Sequence, residues 1–312
     1  MSNNPHSGSA ANVTLTEEKR QMQGLIGALG AFICWGVFPL YFKMLDGIPV
    51  LEILAHRIVW SLVLVGFIIF FTHRFRKVLE TLSDPRTLML FFGSTLMIAI
   101  NWTVFVWAVT SGRVLEASLG YYINPLVNVM LGMLFLGERM NKAQTTAILL
   151  AVAAVLLLSF KLGDVPWVSL AMAFSFGFYG LLRKKAPTES AVGLAVETAI
   201  LTPVCIAYIA YLAITGTGGA GGAFYDFSTN MLLLGLGAVT ALPLIMFSFG
   251  AQRLRLSTVG VIQYIAPTLH AILAVYVFGE TFSQDRLIAF GLIWIGLLIY
   301  TVDGFRGRGK AK

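Results

Sequence analysis

Along this chain, one mostly apolar stretch follows another, each close to the roughly 20 residues that carry an α-helix across the hydrocarbon layer of a bilayer. Ten such runs can be marked, at residues 24–44, 51–71, 87–109, 117–136, 143–160, 165–182, 191–213, 231–251, 258–278 and 287–302. That pattern leaves little choice of fold class: an all-α integral membrane protein of ten transmembrane helices. The length of 312 residues would by itself suit one or two soluble domains. The composition argues otherwise, because 57% of residues are hydrophobic and only 12% charged, against about 25% charged in soluble domains.

The net charge of +7 invites a nucleic-acid partner. The basic residues sit between apolar runs and form no continuous stripe, so nucleic acid is not expected. Cys34 and Cys205 both lie inside apolar runs and read as small buried hydrophobes. Two cysteines are too few for a disulfide framework or a cysteine metal site. The polar segment before residue 24 lacks a basic start, a short apolar core and a small-residue cleavage site. Residues 1–22 are therefore read as a disordered cytoplasmic tail and the first run as a retained helix.

Lys and Arg placement orients the chain. With the N-terminus inside, 17 of the 22 basic residues fall in inside segments. Lys43, Arg113, Lys161 and Arg286 fall outside or at the outer interface, and Arg57 falls within a helix. Both termini are then cytoplasmic, and residues 305–312 form a basic cytoplasmic tail.

The chain also repeats itself. GRVLEASLGYYINPLVNVMLGMLFLGER from Gly112 matches LRLSTVGVIQYIAPTLHAILAVYVFGET from Leu254 without a gap, at an offset of 142. Tyr122 pairs with Tyr264, Pro125 with Pro267, Gly137 with Gly279 and Glu138 with Glu280. Apolar chance would match Leu and Val, not Arg, Tyr, Pro, Gly and Glu in one register. The repeat divides the chain into a first five-helix unit, residues 23–162, and a second, residues 163–304. An odd number of helices per unit means the second is threaded the opposite way. Inverted repeats are the architecture of alternating access, with a site between the halves near the midplane.

Polar groups inside spans are costly and mark candidate sites. Pro125 and Pro267 lack an N–H and interrupt their helices. Tyr121, Asn124 and Asn128 share a face around Pro125, and Gln263 and His270 share the matching face around Pro267. With Tyr122 and Tyr264 these form one substrate-binding candidate set; structural hydrogen bonding between helices is the competing role. Arg57 lies too deep for easy snorkelling and needs a partner, a cavity or an anionic ligand. Asn101, beside Trp102 in the third run, completes the set. Glu52 and His56, at i and i+4, and Glu197 are candidates for proton coupling, with structural pairing as the alternative. Glu138 and Glu280 read as structural, capping the next helix or pairing across the loop. No GxxxxGK[ST] loop, HExxH or Cys/His cluster is present, so neither nucleotide hydrolysis nor a metal or other cofactor is expected. No GxSxG nucleophile motif appears.

The duplicated five-helix unit, each copy carrying a proline helix that ends in Gly-Glu, resembles the EamA-type permeases of the drug/metabolite transporter superfamily. VLEILAHRIVWSL from Val50, INWTVFVWAV from Ile100, LEASLGYYINPLVNV from Leu115 and GVIQYIAPTLHAILAVYVFGE from Gly260 resemble its RarD subfamily, over nearly all of the chain after about residue 22. The resemblance implies a multi-pass permease of the bacterial inner membrane, with a central cavity lined by spans one to four and six to nine. The subfamily takes its name from a chloramphenicol-linked phenotype, which does not name a substrate. No family catalytic residue carries over.

The expected function is therefore secondary transport of a small organic metabolite or drug, with export as the direction and the proton gradient as a candidate driving force. A passive channel or lipid flippase of the same fold is the alternative, and an intramembrane lipid-processing enzyme a more distant one. Partners are a small-molecule solute and the bilayer. A monomer and a homodimer both remain open.

Overall fold

The computed structural model describes residues 7–137, 141–162, 165–186, 188–217, 225–251, 253–254 and 262–309. All regular structure among them is helical: α1 Ser7–Lys43, α2 Val50–Phe71, α3 Phe75–Ser83, α4 Pro85–Thr110, α5 Val114–Leu136, α6 Lys142–Leu162, α7 Trp167–Lys185, α8 Ser190–Thr215, α9 Phe227–Ala251, α10 Ile265–Tyr276 and α11 Gln284–Gly309. Eight of these (α1, α2, α4, α5, α6, α8, α9 and α11) are long and apolar enough to cross a bilayer, while α7 and α10 are apolar but shorter. The polar segment expected to be a disordered tail continues α1 as helix from Ser7.

Local chemistry sets several helix ends. Asp84 caps α4 by accepting from the Thr87 N–H at 3.1 Å, with Pro85 at the first helical position. α5 ends at Gly137, whose φ of 66° is left-handed and open to glycine without steric cost. Its repeat mate Gly279 has a φ of 67°. In the ninth run, residues 263 and 264 form a turn immediately before α10. Pro267 has no N–H for the Gln263 carbonyl, so the helical ladder is interrupted there.

The repeat-matched helices pack against each other antiparallel. Near the start of α5, Glu280 accepts the N–H groups of Val114 at 2.5 Å and Leu115 at 3.0 Å. One turn on, the Ser118 hydroxyl donates to the Pro267 carbonyl at 2.7 Å, and Tyr122 stacks on Tyr264 with centroids 6.1 Å apart. Asn141 at the head of α6 likewise bonds Asp303 near the foot of α11. Between the halves α1 packs on α9 and α10, α4 on α7 and α8, α5 on α7, and α2 on α8 and α9. α6 and α11 pair with each other.

Glu280 is structural, but it caps α5, 165 residues away in sequence, and not the helix that follows it, because the antiparallel packing brings the first turn of α5 to its carboxylate. Its partner Glu138 lies outside the described residues. Glu280→Ala strips both acceptors from the first turn of α5 and should cost about 1–2 kcal/mol. Denaturant unfolding in detergent reads the loss. Glu280→Gln, which keeps one acceptor oxygen, should fall between that variant and the parent.

The short helix α3 was not foreseen. Its carboxylate tether is Glu189, just before α8, paired with both Arg74 and Lys77. The Lys77 hydrogen bond, aided by the charges of Arg74 and Lys77, holds the Glu189 carboxyl below its usual value. A depressed folded value means the tether stabilises above the unfolded carboxylate value of ~4.3 and is lost as pH falls through the folded one. Protection of the α3 amides against hydrogen exchange should therefore drop below about pH 4. Glu189→Gln should flatten that pH dependence. Both side chains are substantially exposed, so the effect should stay local.

Candidate functional site

At the junction of the two halves, seven helices converge on a buried polar cluster. Arg57 of α2 is 4% exposed. Its Nε–H donates to Thr240 Oγ1 of α9 at 2.8 Å. The guanidinium lies 4.2 Å from the centre of the Trp102 ring and 5.6 Å from that of Phe42. Such cation–π contacts suit a desolvated guanidinium. Nη1 is buried with no hydrogen-bond partner. The ion pairs of the described residues all involve other groups.

Asn101 of α4 donates from Nδ2 to the Met172 carbonyl at 3.0 Å and to Ser175 Oγ at 3.1 Å, both on α7. The Tyr121 hydroxyl of α5 reaches Asn101 Oδ1 at 3.5 Å. Tyr121 in turn lies 5.7 Å from the His270 ring and 5.9 Å from Phe105. His270 of α10 meets the Trp35 carbonyl of α1 through Nε2 at 2.9 Å. A carbonyl only accepts, so Nε2 carries the proton and Nδ1 is left over. Nδ1 has no partner, and neither has the buried Oδ1 of Asn124.

Buried polar atoms in native structures are almost always satisfied. Three left bare at this junction, one of them on a cation, call for a physical reason. The cluster is closed, since Arg57, Asn101 and His270 each expose 4% or less of their surface. Helices must separate for any solute to reach it.

Of the residues the sequence singles out, the structure brings Arg57, Asn101, Tyr121 and His270 into one cluster. Asn124 is buried on the same helix face as Tyr121. Asn128 is exposed and lies beside Gly177 and Gly180 of α7 instead. Tyr122 turns away, packing on Phe290 and Trp294 of α11 and sharing a hydrogen bond with Thr268 of α10, and Tyr264 stacks on it. Gln263 is partly buried in the turn before α10, and Pro125 sits inside α5. Thr240, Ser175 and the ring faces of Phe42 and Phe105 were missed. Nothing in a hydroxyl or a Phe within an apolar run distinguishes it from packing.

The proton candidates lie elsewhere. Glu52 and His56 occupy the start of α2 and act on each other electrostatically. Glu197 of α8 is 2% exposed. It accepts from Ser94 at 2.8 Å and from Tyr179 at 3.3 Å, and pairs with Arg183 Nε at 3.8 Å. Charge counting had assigned Arg183 to an inside segment; its side chain lies over Phe91 and beside Gly193. Thr198 and Thr202 bond carbonyls of their own helix. Among the described residues no group of three or more His, Cys, Asp or Glu side chains is placed to hold a metal ion.

Comparison with known proteins matches the EamA-like transporter family twice, at residues 22–160 and 165–302. An uncharacterized transporter of Vibrio cholerae is 44% identical over 95% of this chain and 97% of its own length. Protein RarD of Salmonella typhimurium is 42% identical over 94% of this chain and 99% of its own. One solved crystal structure superposes with a TM-score of 0.56 at 22% identity, covering 91% of this chain and 98% of that one, which speaks to the fold alone.

Proposed function

Because the chain belongs to the EamA-like transporter family as a RarD-type permease of the bacterial membrane, we propose that it is a secondary transporter that moves a small organic solute by alternating access. The observation that carries this reading is the occluded cluster of Arg57, Asn101, Tyr121, Asn124 and His270, built by both halves and holding three unsatisfied polar atoms. Alternating access needs such a site at the interface of two units that rock against each other.

Ten spans arranged as two inverted five-helix repeats, with both termini cytoplasmic, are part of the proposal. The antiparallel pairing of α5 with α10 and of α6 with α11 supports it. So does the exchange of neighbours: α1 on α9 and α10 is mirrored by α4 and α5 on α7. Reporter tags at Arg113 and Arg255 should face opposite compartments; finding them in one compartment would end the inverted-repeat reading.

Export is the proposed direction and the proton gradient the proposed drive, through Glu197 or the Glu52–His56 pair. A strain lacking the chain and a strain overproducing it should shift one intracellular compound in opposite senses. In proteoliposomes, flux of that compound should saturate and show counterflow, which a passive channel does not. Alanine at Arg57, Asn124 or His270 should lower flux at least tenfold while the protein remains folded, each change removing a desolvated polar contact. Normal flux in all three variants would remove the site assignment. Flux indifferent to an imposed pH gradient would remove the coupling.

A further inference from the structure

We propose that the solute is a small organic monocarboxylate with a flat apolar or aromatic body, its carboxylate held by Arg57. This rests on reading the cluster as the transport site and adds the chemical class of what it carries.

Arg57 stays ionised under any ordinary condition. A guanidinium taken out of water is strongly unfavourable unless a counter-charge or a full set of acceptors replaces its hydration. Here it has one hydroxyl, Thr240, at 2.8 Å, and the faces of Trp102 and Phe42. Ring faces stabilise the cation but accept no N–H in the guanidinium plane. Nη1 is buried and has no acceptor. The planar N–H edge of a guanidinium is matched by two coplanar oxygens, which is the geometry of a carboxylate.

Charge counting narrows the class. Arg57 is the one Lys or Arg among the cluster residues named above; Asn101, Tyr121, Asn124 and Thr240 are uncharged, and His270 offers only an unpartnered ring nitrogen. One fixed positive charge neutralises a monoanion. A phosphate carrying close to two negative charges would be left half-compensated. The rings at the cluster are those of Phe42, Trp102, Phe105 and Tyr121, which favours a flat hydrophobic body over a sugar-like, hydroxyl-rich one. The bare His270 Nδ1 supplies a second polar contact at the far side of Tyr121.

The test uses the purified full-length chain and matched pairs differing only in charge: benzoate against benzamide, and indole-3-acetate against indole-3-acetamide. Isothermal titration calorimetry reads each affinity, with thermal shift alongside. Each carboxylate should bind at least about 30-fold more tightly than its amide, the loss expected when one desolvated charge pair is withdrawn. Arg57→Gln should abolish the preference by bringing the carboxylate's affinity down to that of its amide, while Arg57→Lys retains part of it. If Arg57→Gln does not fold, the parent's own carboxylate-to-amide ratio decides, with Thr240→Val expected to change affinity but keep the preference. Equal binding of both members, binding of neither, or a preference that survives Arg57→Gln overturns the proposal. Counterflow in proteoliposomes separates the two readings. Exchange of neutral solutes alone leaves transport standing without this inference. Carboxylate binding through Arg57 without any counterflow leaves the anion site standing without transport.

Discussion

Glu197→Leu is expected to destabilise the folded bundle by about 3–5 kcal/mol, the usual consequence of leaving one member of a buried ion pair behind. Glu197 and Arg183 have side chains only 3% and 16% exposed. Removing the carboxylate leaves the Arg183 guanidinium against Phe91 and Gly193, with Nη1 already lacking a partner. It also takes the acceptor from the Tyr179 hydroxyl, while Ser94 falls back on the Phe91 carbonyl at 3.1 Å. Replacing both charges, as in Glu197→Leu with Arg183→Leu, should recover most of the loss, because matched apolar groups need no compensation. Glu197→Gln keeps an acceptor for Ser94 and Tyr179 and should fall between. Guanidinium unfolding in detergent measures all four proteins. A single-variant loss below about 1 kcal/mol would mean the pair is water-accessible and behaves as a surface bridge. The same set bears on coupling: if Glu197 carries the proton, Glu197→Gln should still bind solute yet lose the response of flux to an imposed pH gradient.

A comparable loss, about 3 kcal/mol or more, is expected from Gly237→Val. A Cβ at Gly237 would lie 2.5 Å from the Trp60 carbonyl oxygen and 2.6 Å from its carbon. These are backbone atoms of α2, so no rotamer change relieves the overlap and the two helices must part. Close approach through small residues is how membrane helices gain packing without a hydrophobic drive between them. Thr240 is one turn on, so its 2.8 Å contact with Arg57 should break as α9 withdraws. Gly237→Val should therefore lose solute flux as well as stability. Gly120→Val tests the second crossing, where a Cβ would stand 2.7 Å from both the Ser169 carbonyl oxygen and Met172 Cβ. Gly66→Ala and Gly291→Ala meet nothing within 4 Å and should change stability by no more than about 1 kcal/mol, toward greater stability where the helix gains alanine's propensity.

The contrast between these glycines shows where reading the chain alone stops. Gly66 and Gly237 look alike within apolar runs. Only the crossing of α9 over α2 makes one of them indispensable. Arg183 makes the same point for charges. Counting basic residues by the nearest loop assigns it to a segment end, but a long side chain can turn back along its helix to a carboxylate 14 positions later in sequence. Tyr121, Asn124 and Asn128 share one helical face, as their spacing requires, yet only the first two are covered. The face is a property of one helix, and its cover belongs to the neighbours. The helix α3 went unseen because nine residues rich in charge carry no membrane signal.

By itself the amino-acid order determined the solvent, the helical class and the duplicated register. Lipid offers backbone groups no partners, so apolar runs of this length must satisfy them within a helix, and the Pro, Gly and Glu pairs can only be matched one way. Which polar groups meet was decided by tertiary structure. Arg57, Asn101, Tyr121 and His270 come from four helices separated by 20 to more than 200 residues. Their contacts depend on helix rotation and crossing, which are set by small residues and shape at every interface at once and so are written at no single position.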